Sequence, residues 1–128
     1  MPSETEMKAV MARYVELVNA RDARGIVALF AEDASVEDPV GTEVIRGHEA
    51  LAAFYGNAVS RDLSMQILSG PHGSFGNSVG MAAEVTATLP GQGRYRIRLV
   101  EIQTFDAHCR ITSMRAFWGQ GDMLPVAI

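Results

Sequence analysis

The clearest indication of the fold is the segment VGMAAEVTATLPGQGRYRIRLVEIQTF, residues 79–105. Apolar and polar residues alternate on both sides of the turn residues Pro90 to Gly93, and such alternation is typical of β-strands with one buried face. The stretch therefore predicts two long neighbouring strands of an antiparallel sheet. The residues expected on the inward face are Val79, Met81, Ala83, Val85, Ala87 and Leu89, followed by Tyr95, Ile97, Leu99, Glu101, Gln103 and Phe105.

The alternation of apolar and polar residues continues on both sides of this segment. It begins near Leu63, and further turns are expected at Gly70-Pro71, Gly76-Asn77 and Asp106 to Cys109. A last strand is predicted before residues 120–128, which are expected to be poorly tied down. One face of that strand carries Thr112, Met114, Ala116 and Trp118.

The N-terminal part of the chain has helical periodicity instead. An amphipathic helix is predicted on the apolar stripe Met7, Val10, Met11, Tyr14, Leu17 and Val18. A second helix is expected from about Ala23 to Phe30 with Asp22 as its N-cap, and a third from Gly47 to Ser60. Residues 33–38 are expected to be extended, because the residue before Pro39 is disfavoured in a helix.

Three helices followed by a run of strands predict an α+β fold. We expect one domain, residues 1–128, in which a curved antiparallel sheet packs its concave face against the three N-terminal helices and forms a cone. Neither an internal repeat nor a linker interrupts the sequence.

Composition narrows the possible partners and compartment. The net charge of -4 argues against a nucleic-acid partner, because phosphate binding needs a basic stripe. Cys109 is the only cysteine, which fits a reducing compartment. The N-terminus lacks the basic start and apolar run of a signal peptide, and no segment is apolar over the ~18 to 20 residues of a membrane span. We therefore expect a cytoplasmic protein with no membrane partner.

Asp38 is the first candidate for chemistry. Period two places Val36 and Asp38 on one face of the extended segment, so an inward Val36 brings Asp38 inward as well. Apolar surroundings would raise the proton affinity of this carboxylate and make it a stronger base. The alternative is a solvated loop acid or a helix cap.

Glu101 and Tyr14 are the other two candidates. Glu101 interrupts an apolar inward row, where the neutral acid is the cheaper state and can donate a hydrogen bond. The alternatives are an ion pair with an arginine such as Arg115, or a register that exposes Glu101 to water. The hydroxyl of Tyr14 needs a partner on its buried helical stripe, either a backbone carbonyl or a neighbour such as Tyr55.

Other chemistries find little support in the sequence. His48, His72 and His108 lack metal-ligand spacing, so no metal site is predicted. No glycine-rich phosphate loop joins a strand to a helix, and we expect no cofactor. Covalent catalysis is disfavoured because no serine lies in a nucleophile elbow and Cys109 lacks an activating neighbourhood.

Several segments resemble the bacterial Δ5-3-ketosteroid isomerases of the nuclear transport factor 2-like superfamily, which have a cystatin-like cone. The resemblance covers most of the chain and is weakest between Leu63 and Gly93. The segments that carry it are Ala12–Val15, Gly25–Ala34, Val36–Gly41, Ala53–Tyr55, Phe105–His108 and Ser113–Gly119.

The resemblance implies that Asp38 is the general base, which takes a proton between a ketone and an alkene and returns it two carbons along. It implies that Tyr14 is an oxyanion-hole donor, that Tyr55 hydrogen-bonds Tyr14, and that Phe30 stands where some members have a third tyrosine. Family members keep their second donor, usually an aspartic acid, protonated in apolar surroundings, a known property of that family. Glu101 occupies this position here.

The substrate and assembly are also inferred from the resemblance. We expect a small apolar ketone, in the first place a 3-oxo-Δ5 steroid, and a homodimer, to which the outward Arg94, Arg96 and Arg98 could contribute. Ser64, Gln66 and Ala83 depart from the family and predict a wider or more polar pocket. The expected apolar walls are Pro39, Phe54, Leu99, Met114, Ala116 and Trp118.

Two other functions stay open at this point. One is a related cone-fold cyclase, dehydratase or isomerase that acts on a different apolar ketone. The other is a noncatalytic module that binds an apolar ligand, since the cone fold alone does not define a function.

Overall fold

The computed structural model describes residues 1–127, in which three helices precede most of one sheet. The helices are α1 (Glu4–Asn19), α2 (Ala23–Ala28) and α3 (His48–Val59). The strands are β1 (Phe30–Glu37), β2 (Ile45–Arg46), β3 (Ser64–His72), β4 (Ser78–Leu89), β5 (Gly93–Phe105), β6 (Ile111–Phe117) and β7 (Met123–Pro125), with a short 3-10 helix at Gln120–Asp122.

The strands form one sheet in the order β2-β1-β6-β5-β4-β3, and β7 pairs with β5. Most neighbouring strands are antiparallel, as predicted, but β1 and β6 run parallel to each other. The sheet is therefore mixed. The parallel pair matters for function because it brings the C-terminal ends of β1 and β6 to the same edge, although they are distant in the sequence.

The helices close over one face of the sheet and are held by caps and side-chain contacts. The predicted cap at Asp22 is present, and the Ser3 and Glu6 side chains form a capping box at the start of α1. The side chain of Asn19 donates to the Met65 carbonyl at 2.8 Å and accepts from the Met65 amide at 2.7 Å. These bonds fix the end of α1 against β3.

The long strands β4 and β5 pair without a bulge from Ser78 opposite Thr104 to Leu89 opposite Gly93. Unbroken pairing preserves the alternation along both strands, so their inward rows face the helices as predicted. Glu101 lies opposite Met81 in this register and only 2% of its surface is exposed. The alternative in which Glu101 meets water is therefore excluded.

Three local predictions were wrong. Gly70-Pro71 lies inside β3 rather than in a turn, and the pairing of β3 with β4 shifts register there. Ser64 and Gln66 are exposed, since β3 directs Met65 inward between them, so they do not make the pocket more polar. The segment 120–127 is tied to the sheet by the pairing of β7 with β5, and Ile128 lies outside the described residues.

Candidate active site

A cavity of about 270 Å³ lies between the sheet and the helices, and its wall is mostly apolar. Asp38, Tyr14 and Glu101 all line this cavity. The remaining lining residues are Val18, Phe54, Tyr55, Asn57, Ala58, Val59, Arg61, Leu63, Met65, Val85, Ala87, Leu89, Ile97, Leu99 and Trp118. The fold thus brings the three chemical candidates from a helix, a strand and a strand end to one apolar space.

Asp38 follows β1 and is held at the cavity by the end of β6. The amide of Val40 donates to the carbonyl of Ala116 at 2.8 Å, which continues the link between the two chain segments. The indole Nε1 of Trp118 then donates to Oδ1 of Asp38 at 2.8 Å. Burial raises the pKa of Asp38, while the bond from Trp118 acts in the opposite direction. Asp38 is therefore neither a helix cap nor a freely solvated acid.

Tyr14 and Tyr55 form a buried hydroxyl pair. Their hydroxyl oxygens are 2.9 Å apart, and only 4% of Tyr14 and 3% of Tyr55 is exposed. The ring of Phe30 packs against both tyrosines, with centroid distances of 6.5 Å and 5.8 Å. Burial raises the pKa of Tyr14 well above its ordinary value, and the nearby Tyr55, Glu101 and Asp38 add to this effect. Tyr14 is therefore a neutral hydrogen-bond donor at any ordinary pH.

Glu101 is a buried carboxyl group without a cationic partner in the described residues. Burial and the charge of Asp38 raise its pKa to about 8, so it is protonated at neutral pH. The proposed alternative partner, Arg115, points to the outer face, where it donates to Glu37 at 2.9 Å. Glu101 therefore fits the neutral acid that its place in the apolar row predicts.

Gln103 is a further residue of the site, and it was not among the predicted candidates. It is fully buried behind Glu101 on β5, and its Nε2 donates to Oε2 of Glu101 at 2.8 Å. This bond lowers the pKa of Glu101 and opposes burial. Because Gln103 holds Oε2, the other oxygen, Oε1, is left to carry the acidic proton. A second polar residue in the same inward row was the signal in the sequence.

The predicted apolar walls divide into two groups. Phe54, Leu99 and Trp118 line the cavity. Met114 and Ala116 on β6 do not, since both are fully buried in the core. Pro39 also lies outside the lining, because the chain turns away after Asp38 to bond Ala116. Ala83 likewise belongs to the core rather than to the cavity wall.

The comparisons with known proteins place the chain in a known family. The model of the SnoaL-like domain matches residues 11–114, so the chain belongs to the SnoaL-like domain family. This result confirms the predicted superfamily and the α+β cone. The solved structure of SalBIII, described as an epoxide hydrolase/cyclase-like enzyme in pyran ring formation in polyether salinomycin, superposes with a TM-score of 0.86 at 31% identity, covering 98% of this chain and 100% of that one.

Two curated relatives are enzymes with different activities. A steroid Delta-isomerase of Nocardioides simplex is 38% identical over 123 residues, which is 93% of this chain and 94% of that protein. The epoxide hydrolase LasB of Streptomyces lasalocidi is 37% identical over 126 residues, 95% of this chain but 44% of LasB. The chain thus spans less than half the length of LasB. The predicted resemblance to steroid isomerases is confirmed at the level of sequence similarity.

The arrangement places two carboxyl groups, Asp38 and the buried Glu101, at one mostly apolar cavity. Groups whose surroundings separate their pKa values can take opposite roles at one pH, and here Glu101 retains its proton while Asp38 sits beside an indole donor.

Among residues 1–127, no helix has the length and apolar character needed to cross a membrane.

Proposed function

We propose that the chain is a steroid Δ-isomerase that moves the C5–C6 double bond of a 3-oxo-Δ5 steroid into conjugation with the ketone. The observation that carries the proposal is the meeting of Asp38, Tyr14 and Glu101 at one apolar cavity. The identity of 38% to a steroid Delta-isomerase over nearly the whole of both chains supports it.

In the first step, Asp38 removes the proton from C4, which lies between the ketone and the alkene. The electron pair of that C–H bond forms a new C3–C4 double bond, and charge moves to the ketone oxygen as a dienolate. In the second step, the protonated Asp38 returns the proton to C6, the C4–C5 double bond forms, and the ketone is restored. No group is lost or gained, so the cycle needs only one mobile proton and no cofactor.

The dienolate oxygen is stabilised by two neutral donors in this account. Tyr14 donates a hydrogen bond to the oxyanion and accepts one from Tyr55, whose hydroxyl is 2.9 Å away. Glu101 donates from Oε1 while Gln103 holds Oε2. Preplaced donors in an apolar site stabilise developing charge strongly, because they need no reorganisation during the reaction.

Trp118 gives Asp38 a fixed direction. The indole of Trp118 bonds Oδ1 of Asp38, so the other oxygen, Oδ2, is available to the substrate. A base held in one orientation removes the proton from one carbon and delivers it to another on the same face of a flat ligand. Phe54 and Leu99 supply apolar contacts for the ring system.

A second function, acid-assisted epoxide opening, is favoured by the identity of 37% to LasB. Glu101 would protonate the epoxide oxygen while Asp38 activates the attacking hydroxyl group or water. Both functions use the same two carboxyl groups in the same protonation states, so the substrate distinguishes them.

The direct experiment offers the purified protein a 3-oxo-Δ5 steroid and, separately, an apolar epoxide. We expect conjugated-enone absorbance to rise with the steroid and no diol or cyclic ether to form from the epoxide. The reverse pattern would transfer the assignment to epoxide opening. Tight steroid binding without any product would make the protein a noncatalytic binding module.

We also propose a homodimer formed by the outer face of the sheet. Val100 and Phe117 lie opposite each other on β5 and β6 and are 48% and 38% exposed, and Ile102 is beside them. An exposed apolar group of this kind is typical of an interface. Sedimentation should give twice the monomer mass, and the Val100→Glu variant should sediment as a monomer.

A cytoplasmic location remains a prediction.

A further inference from the structure

The cavity has a second polar end, at Arg61. Arg61 follows α3 and lines the cavity, and it also borders a surface depression together with Asn57, Asp62 and Thr88. The Thr88 amide donates to the Arg61 carbonyl at 2.9 Å, which places Arg61 beside the end of β4. Glu101 lies opposite Met81, seven residues back along β4, so roughly 20 Å of strand separates the two ends.

The guanidinium of Arg61 has an unused donor. Its Nε is buried and has no hydrogen-bond partner within residues 1–127. The ion pairs found in this part of the chain do not include Arg61. A buried N–H of a permanently charged group that lacks an acceptor is unfavourable, so a ligand that supplies an acceptor gains affinity there.

The charge around Arg61 favours an anion. Asp62 is the neighbouring carboxylate, but it is paired with both Arg21 and Arg94. The carboxylate of Asp62 thus has two guanidinium partners already, and in the described part of the chain no ion pair joins it to Arg61. The opposite end carries Asp38 and the neutral Glu101, which disfavour an anionic group.

We propose that Arg61 forms a subsite for a carboxylate, and that the cavity prefers apolar keto acids in which the carboxylate and the ketone are at opposite ends. The planar Nε and Nη donors of an arginine match the two oxygens of a carboxylate. The apolar residues Val85, Ala87 and Ile97 line the cavity between the two polar ends and would contact the hydrocarbon body. The placement of the ketone rests on the proposed function, whereas the carboxylate preference does not.

The test measures binding rather than turnover. Trp118 is the only tryptophan and lines the cavity, so its fluorescence reports occupancy. The probes are a 3-oxo-Δ4 steroid whose C17 side chain ends in a carboxylate and the methyl ester of the same compound. We expect the wild type to bind the acid about 10- to 100-fold more tightly than the ester, as a charge-assisted hydrogen bond allows.

Variants of Arg61 test whether this residue causes the preference for the acid over the ester. Arg61→Gln should bind the acid and the ester equally, and Arg61→Lys should retain part of the preference because it keeps the charge without the planar donors. Arg24→Gln, on the exposed surface of α2, is the matched control and should behave as the wild type. Circular dichroism checks the fold of each variant, and Arg61→Lys decides the matter if Arg61→Gln does not fold.

Equal binding of acid and ester by the wild type would overturn the proposal, as would a preference that survives in Arg61→Gln. This failure is distinct from failure of the isomerase assignment. A protein that isomerises neutral 3-oxo-Δ5 steroids without favouring the acid keeps its function and loses the subsite. One that favours the acid but isomerises nothing keeps the subsite and loses the function.

Discussion

Glu84 and Glu101 lie on adjacent, paired strands, and they show how the two faces of one sheet use the same side chain. Glu84 points outward, where Arg96 and Arg98 approach its carboxylate at 3.5 Å and 3.2 Å. Glu101 points inward and meets a neutral amide from Gln103 instead of a cation. The outer carboxylate is paired with two guanidinium groups, whereas burial raises the pKa of the inner carboxyl to about 8, so it keeps its proton at neutral pH. The face of the sheet to which a glutamate points, and the charge of its neighbour, thus decide whether it can act as a neutral hydrogen-bond donor.

The same contrast applies to Glu37 and Asp38, which are neighbours in the sequence and point to opposite faces. Glu37 accepts from Arg115 on the outer face, and Asp38 accepts from Trp118 at the cavity. A cationic partner would hold a carboxylate in its ionised form and weaken it as a base. An indole donor orients the carboxylate without adding a positive charge.

Loss of Asp38, the proposed base, gives the largest expected effect. Asp38→Asn should lower kcat by up to about 10⁴-fold, the upper range for general base catalysis, because an amide does not accept the C4 proton. Glu37→Gln is the matched control on the other face and should retain wild-type kcat. Steroid titration by Trp118 fluorescence should show that Asp38→Asn still binds. Equal losses of binding and turnover would contradict the role of Asp38.

Removal of a donor to the oxyanion comes next. Tyr14→Phe should lower kcat by roughly 10²- to 10³-fold, since one preplaced donor is lost while the ring remains. Tyr95→Phe removes the hydroxyl of a tyrosine that does not line the cavity and should leave the rate unchanged. Steady-state kinetics of the two variants checks the prediction, and a Tyr14→Phe variant as fast as the wild type would refute it.

Glu101→Gln should cost roughly tenfold in rate, on the order of 1.4 kcal/mol, since the amide remains a donor but a weaker one. Its pH profile is more informative. The pKa of Glu101 is raised to about 8, so wild-type activity should fall above that pH as the donor becomes a carboxylate that repels the dienolate. This alkaline fall should disappear in Glu101→Gln and persist in Glu84→Gln. If activity falls identically at alkaline pH in both variants, the fall comes from a group other than Glu101.

Gln103→Leu should lower kcat only a few-fold with little change in KM, because Gln103 orients Glu101 and does not line the cavity. The hydrogen bond from Gln103 lowers the pKa of Glu101. Its loss should therefore move the alkaline fall to higher pH. A lower kcat with an unmoved pH profile would mean that Gln103 only fills space.

The smallest effect is expected on the outer face. Glu84→Gln removes the negative charge that pairs with Arg96 and Arg98, whose side chains are about half exposed, and should change the free energy of unfolding by less than about 1 kcal/mol. Urea denaturation measures this value, and kcat should not change. A large loss of activity in Glu84→Gln would show that the two faces are not independent.

The sequence was sufficient to predict most of the fold and the direction of the main side chains. The alternation in β4 and β5 placed Glu101 inward because their pairing contains no bulge. The turn prediction at Gly70-Pro71 failed because β3 continues through an irregular register. The attachment of β7 was missed because three residues are too few to show a period.

Contacts between distant segments were the part that periodicity did not reveal. The bond from Trp118 to Asp38 joins residues 80 positions apart and depends on the parallel pairing of β1 with β6. The bond from Gln103 to Glu101 depends on side-chain rotation within one row, which a pattern of polar and apolar residues does not encode. The apolar wall was partly mispredicted for the same reason, since Met114 and Ala116 point inward but are part of the packed core and do not reach the cavity.

An isotope-transfer experiment shows whether Asp38 moves one hydrogen from C4 to C6. A 3-oxo-Δ5 steroid with deuterium at C4 is converted, and the product is analysed by NMR for deuterium at C6. If Asp38 carries the proton within an apolar cavity, the product should contain deuterium at C6, and Asp38→Asn should form almost no product. A C6 position that holds only solvent hydrogen, or rapid conversion by Asp38→Asn, would contradict the account.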